Sequence, residues 1–200
     1  MPCTDQQLLS SALDTLEKDG QEPHSAFYRA TMTALVAKVF GCYVGMLDML
    51  GVYWYQNGQP EKAKAALKKA IDLLTNKKEY KASEAAVTIV YAECYLYMAL
   101  IASEEGNTSE AEFYGAQSAC LAADMAKRTQ SNPAWQIEIS ACVFVSELYL
   151  AMKNKPKAAE YAEMGLAACA MLAKTDPHND LLEMRSVLEK FRKKALRRFF

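Results

Sequence analysis

An all-α chain, built as an array of antiparallel helix hairpins, is the fold class this sequence predicts. Three observations carry that expectation. Ala, Leu, Glu, Lys and Met dominate the composition, and these are strong helix formers, while only 8 Gly and 6 Pro punctuate 200 residues. Hydrophobic residues make up 52%, which excludes a disordered chain. Three segments align on one another, with turns at Gly58, Gly106 and Lys153 that stand 48 and 47 residues apart.

The first segment runs from Leu50-Gly51 through Trp54, Gly58 and Pro60 to Ala63, Leu67 and Ala70. The second runs from Met98-Ala99 through Gly106 and Thr108-Ser109 to Ala111, Gly115 and Ser118. The third runs from Val145-Ser146 through Lys153 and Pro156 to Ala158, Ala162 and Gly165. Gly58 and Gly106 suit a helix end in the left-handed conformation. Pro60 and Pro156 suit the first turn of the helix that follows. Small residues at both sides of each turn permit close crossing, so each unit reads as one hairpin that needs its neighbours to bury both faces.

Leu50-Gly51, Trp54, Gly58, Ala63, Leu67 and Ala70 resemble the tetratricopeptide repeat pattern at its own spacings. The resemblance covers roughly residues 44–172, and Lys153 departs from it where the turn Gly belongs. The period of 47–48 residues exceeds the usual 34 of that family, which lengthens the first helix of each hairpin. The resemblance implies a right-handed superhelical array with a concave groove that holds a peptide or a helix.

Element by element, a first helix is expected over about 4–18, capped by Thr4 or Asp5 and followed by Gly20. Further helices are expected over about 25–57, 60–76, 79–105, 108–128, 133–153 and 156–174, and an eighth from about 180 to the end. The breaks fall at Pro23-His24-Ser25, at Thr129–Pro133 and at Lys174–Asn179. The chain reads as one domain over 1–200: an N-terminal helix in 1–24, hairpins in 25–76, 77–128 and 129–174, and a basic C-terminal helix in 175–200 that caps the array.

The net charge of −1 gives no global field toward nucleic acid or membrane, but residues 180–200 are +4 and leave −5 on 1–179. Residues Val39 to Tyr55 carry only Asp48 as a charge, with Gly41-x-x-x-Gly45 among them; a short run broken by a carboxylate reads as a buried helix, not a membrane span. The opening Met1-Pro2-Cys3-Thr4-Asp5 has no secretory character. None of the six cysteines, Cys3, Cys42, Cys94, Cys120, Cys142 and Cys169, forms a C-x-x-C pair, so they read as buried apolar residues in a reducing, cytoplasmic setting. His24 and His178 lie in separate loops, and no nucleophile elbow, phosphate-binding Gly-rich loop or metal-ligand cluster is present. The Met and Tyr residues recur at helical spacing as core stripes. No catalytic residue, metal site or cofactor is expected.

By the resemblance, the groove is lined by Gly45, Asp48, Val52, Tyr55 and Gln56 from the first hairpin. The second contributes Glu93, Leu96, Leu100, Ser103 and Glu104, and the third Ser140, Val143, Glu147, Leu150 and Ala151. Its charges, Asp48, Glu93, Glu104 and Glu147, are all acidic, which favours a basic or amphipathic segment of a partner protein. The Lys and Asn that grip a terminal carboxylate in chaperone-tail binders of the family are absent there. In the last helix Leu181, Leu182, Met184, Val187, Leu188, Phe191, Ala195, Leu196 and Phe199 form an apolar stripe. Lys190, Arg192, Lys193, Lys194, Arg197 and Arg198 lie opposite. This helix reads as a cap, with a calmodulin-type target, a lipid or phosphate contact, or an occupant of the acidic groove as alternatives. The function expected is a protein-interaction adaptor. A chaperone or regulatory subunit that sequesters a client, and a scaffold that self-assembles through its long apolar helix, are the alternatives.

Overall fold

The computed structural model describes residues 41–75, 84–176 and 181–197. These residues form seven helices and no strand: α1 (Gly41–Gln56), α2 (Pro60–Thr75), α3 (Glu84–Glu104), α4 (Thr108–Thr129), α5 (Asn132–Ala151), α6 (Lys155–Thr175) and α7 (Leu182–Leu196). The expected helix at 4–18, the first part of that at 25–57, both histidines and the basic end from Arg198 onward lie outside the described residues.

Three tight turns organise the chain, and they share one hydrogen-bond pattern. At the first, Gly58 N–H donates to the Tyr55 carbonyl (3.0 Å) and Gln59 N–H to the Trp54 carbonyl (2.8 Å). At the second, Gly106 donates to Ser103 (3.1 Å) and Asn107 to Ala102 (2.8 Å). At the third, Lys153 donates to Leu150 (3.1 Å) and Asn154 to Tyr149 (2.8 Å). Each turn needs a left-handed residue: Gly58 has φ +69°, Gly106 +75° and Lys153 +59°. Lys153 thus takes the conformation that its two counterparts meet with glycine. The next helix is then capped: Asn107 Oδ1 accepts from Glu110 N–H (3.3 Å), and Asn154 Oδ1 from Lys157 N–H (3.4 Å). Pro60 opens α2, and Pro156 lies in the first turn of α6.

Hairpins α1/α2, α3/α4 and α5/α6 pack internally, and α7 covers the last of them. The first helices also pack on one another, α1 on α3, α3 on α5 and α5 on α7, whereas no extensive contact joins α2 to α4 or α4 to α6. The first helices therefore form one contiguous layer. They are apolar nearly all round because neighbours cover several of their faces; α2, with polar residues on its outer side, is amphipathic.

Small residues set the spacing. Ala63, Ala111 and Ala158, equivalent in the three hairpins, have no exposed surface. A Cβ on Gly51 would lie 2.5 Å from Leu67 Cγ, and one on Gly165 would lie 2.8 Å from Cys142 Cβ and 2.9 Å from Leu188 Cδ1. Interhairpin polar contacts add register. Lys64 Nζ donates to Glu105 Oε1 (2.7 Å). Between the next pair, Tyr149 hydroxyl donates to Glu112 Oε1 (2.8 Å), which Lys157 Nζ also reaches (3.2 Å).

Two outcomes follow for stability, read by urea unfolding of the full chain. Lys153→Gly removes the left-handed strain of a Cβ-bearing residue and should raise stability by about 1 kcal/mol. Gly165→Ala forces a methyl into backbone-anchored neighbours and should lower it by about 1–3 kcal/mol.

Candidate functional site

Of the residues the sequence assigns to a groove, the structure gathers one set between α1 and α3. Val52 and Tyr55 are half-buried on α1, and Gln56 is exposed at its end. On α3, Glu93 and Leu100 are half-buried and Glu104 is exposed. Tyr55 hydroxyl donates to Glu104 Oε1 at 2.6 Å, tying the two helices together. The Tyr55 ring meets Tyr97 edge-on at 5.5 Å between centroids. Burial, with Glu104 as acceptor and neighbouring charge, pushes the Tyr55 hydroxyl up to about 12, so it remains a donor at neutral pH.

Asp48 and Leu96 do not line an open surface. They are only 4% and 8% exposed and belong to the packed layer between helices. Asp48 Oδ1 accepts from the Cys94 thiol at 3.3 Å. Burial raises the Asp48 carboxyl well above the carboxylate range, and the charge of Glu93 raises it further, against the pull of the Cys94 thiol. Glu93 is raised as well, chiefly by burial, but its hydrogen bond with Asp48 acts in the opposite direction. Four acidic residues thus do not mean four open charges. Burial and Asp48 also raise the Cys94 thiol well above its ordinary value, so it is no thiolate nucleophile.

Val143 is half-buried and Glu147 exposed on α5, outside the α1–α3 set. On α7, Leu188 and Ala195 are buried and Leu181, Val187 and Phe191 half-buried, whereas Leu182 (77%), Leu196 (60%) and Met184 (41%) are exposed. Lys190, Lys193, Lys194 and Arg197 are exposed and Arg192 half-buried. Arg192, Lys193, Leu196 and Arg197 share a shallow depression with Glu163 of α6.

A second site was not anticipated from the sequence. Glu138, on α5, is 2% exposed, and its Oε2 has no hydrogen-bond partner. Trp135, one turn earlier, is 4% exposed, and its Nε1 also lacks a partner. Both line a cleft of about 400 Å³ whose walls include Met164, Ala167, Ala168 and Met171 of α6, with Lys127 of α4 and Gln130 just beyond its end completing it. Burial lifts the Glu138 carboxyl to about 7, opposed by the Lys127 charge; Glu138 in turn adds to the rise that burial gives the Cys142 and Cys169 thiols. The sequence held a signal for this: Glu138 falls three residues after Trp135 and four before Cys142, which puts it on the inward stripe.

Cys94, Cys120, Cys142 and Cys169 are unpaired. Among the described residues no group of three or more His, Cys, Asp or Glu converges in a way that could hold a metal ion. No helix among them is long and apolar enough to cross a membrane. No protein-family model, curated protein or solved structure matches this chain.

The raised Glu138 carboxyl has a defined effect on stability. The folded protein keeps a proton that the unfolded chain loses near its ordinary value of 4.5, so stability falls as pH rises from about 4.5 to about 7 and then levels. Glutamine does not titrate. The stability of Glu138→Gln relative to the parent should therefore grow by about 2 kcal/mol between pH 5 and pH 8, after allowance for solvent screening. Thermal unfolding at both pH values checks this; a pH-independent difference would remove the strained carboxyl.

Proposed function

We propose that this chain is a tetratricopeptide-like adaptor: its helix hairpins form a superhelical array whose inner layer holds a basic or amphipathic segment of a partner protein. The observation that carries this reading is the α1–α3 face, where Glu104, Glu93, Tyr55, Tyr97 and Gln56 come together on the layer made by the first helices. Contact among first helices with little among second helices is the geometry that curves an array toward its first helices. The three turns with one hydrogen-bond pattern at spacings of 48 and 47 residues support the repeat reading.

The recognition chemistry differs from a simple row of negative charges. Glu104 offers an exposed carboxylate, and Glu93 a second carboxyl half-withdrawn from water. A lysine or arginine of the partner would meet Glu104 first. Its aliphatic stem would lie along Val52 and Leu100, and the tyrosine faces would accept either the cation or an apolar neighbour. A chain with these features works by holding, with no chemistry of its own.

Self-association is a second reading, favoured by Leu182, Met184 and Leu196, which leave apolar surface on α7 beside its basic residues. Light scattering of the full chain separates the two: a Leu182→Ser, Leu196→Ser variant changes the mass only if that surface joins copies.

The adaptor reading is tested with an array of basic amphipathic peptides, followed by fluorescence anisotropy on those retained. Glu93→Gln combined with Glu104→Lys should weaken binding about tenfold or more, because an attractive site becomes repulsive. Glu163→Lys on α6 should leave it unchanged, and binding should weaken as salt is raised. Retained peptides that bind the double variant as well as the parent, or an array that retains nothing, would refute the groove.

A further inference from the structure

Four buried side-chain polar atoms among the described residues have no hydrogen-bond partner: Trp54 Nε1, Trp135 Nε1, Glu138 Oε2 and Ser146 Oγ. The side chains that carry two of the four, Trp135 and Glu138, line the same cleft. Unpartnered buried groups are costly and rare, so their coincidence at one cavity demands a cause. They are also complementary in kind: an indole N–H that needs an acceptor, and a carboxyl oxygen that needs a donor. They lie three residues apart on α5, hence on one face of the helix.

We propose that this cleft is a binding site for an α-ammonium group with an adjacent carboxylate or carbonyl, carried on an apolar side chain: the head of a small apolar amino acid, or the free N-terminus of a peptide. The ammonium donates to Glu138 Oε2, and the carboxyl releases its proton to solvent as the ion pair forms. The neighbouring carbonyl or carboxylate oxygen accepts from Trp135 Nε1–H. Lys127 supplies the positive charge that a free carboxylate would seek. Met164 and Met171 give an adaptable apolar wall for the side chain. A volume of about 400 Å³ lies within the ordinary range for small-ligand sites, about 300–1,000 Å³.

Other ligand classes fit less well. A plain carboxylic acid would set its charge against Glu138 and satisfy only the indole. A simple alkylamine would satisfy Glu138 and leave the indole unpartnered. A ligand with both functions on adjacent atoms satisfies both. The site lies between α4, α5 and α6, apart from the α1–α3 face, so it stands or falls independently of the proposed groove.

The indole N–H is its own reporter. The chain has 2 tryptophans, so Trp54→Phe assigns the Trp135 indole resonance in a proton–nitrogen NMR spectrum of the full protein. L-Leucine, L-leucinamide and N-acetyl-leucine are titrated in turn. Leucine or leucinamide should shift the Trp135 resonance saturably, with Kd on the order of 0.1–1 mM for so small a ligand. N-acetyl-leucine, which lacks the ammonium, should not. Leucine binding at least tenfold tighter than leucinamide identifies a free amino acid as the source; equal binding identifies a peptide N-terminus. Glu138→Gln should weaken binding at least tenfold with the fold retained. Ala167→Phe, at an exposed position of the wall, should block the cleft without disturbing the core. If neither leucine nor leucinamide moves the Trp135 resonance, or if both variants bind as the parent does, the site does not exist.

Discussion

In each hairpin an alanine without exposed surface, Ala63, Ala111 or Ala158, follows the turn, and glycines at 51, 115 and 165 leave no room for even one carbon more. Close helix approach through small side chains is the constraint on which the remaining structure rests. It brings backbones near enough for the dispersion contacts of many short side chains to accumulate, where fewer large ones would hold the helices apart. The turns then fix direction. One left-handed residue and a pair of backbone hydrogen bonds close each hairpin with the same turn pattern. Lys153 illustrates the priority: the turn geometry is kept even where the side chain resists it.

Tight packing has an electrostatic consequence. A helix enclosed by neighbours has few water-facing positions, so any carboxyl on it is desolvated. Burial and the Glu93 charge raise the Asp48 carboxyl well above its ordinary range, and the Cys94 thiol donates to it. Glu138 has no such company, and its carboxyl is lifted to about 7 by burial alone, the Lys127 charge acting against it. The same physics yields a carboxyl with a donor at one end of the layer of first helices and two unpartnered polar atoms farther along it.

These differences decide how much was legible in the sequence. Helices punctuated by Gly, Pro or Asn were readable to within one or two residues. Those expected over about 60–76, 108–128 and 156–174 are α2, α4 and α6. The turn at Lys153 was readable only through its spacing from Gly58 and Gly106, since lysine itself signals no turn. The break expected over Thr129–Pro133 is narrower: α4 runs to Thr129, and α5 already begins at Asn132, with Gln130 left-handed between them. Faces were far less legible than boundaries. The inner helices α1, α3 and α5 are apolar nearly all round, so periodicity does not say which side a given acid occupies. Asp48 and Leu96 were therefore expected on the groove and lie in the packed layer. Glu138 and Trp135 were passed over for the same reason, although their spacing to Cys142 carried the information.

Buried carboxyls are seldom required for a helical array to fold, because apolar side chains of similar size usually serve as well or better. Asp48 can be accounted for within the fold, since its Oδ1 accepts from the Cys94 thiol across the α1–α3 contact. Glu138 cannot. It is as buried as the core around it, it cements no second helix through Oε2, and the indole beside it is equally idle. Trp135 packs in the core, but folding energetics gives no reason to bury its Nε1 and Glu138 Oε2 without partners. A bound group that completes both hydrogen bonds does, and it converts the most costly polar atoms of the described fold into the most selective ones.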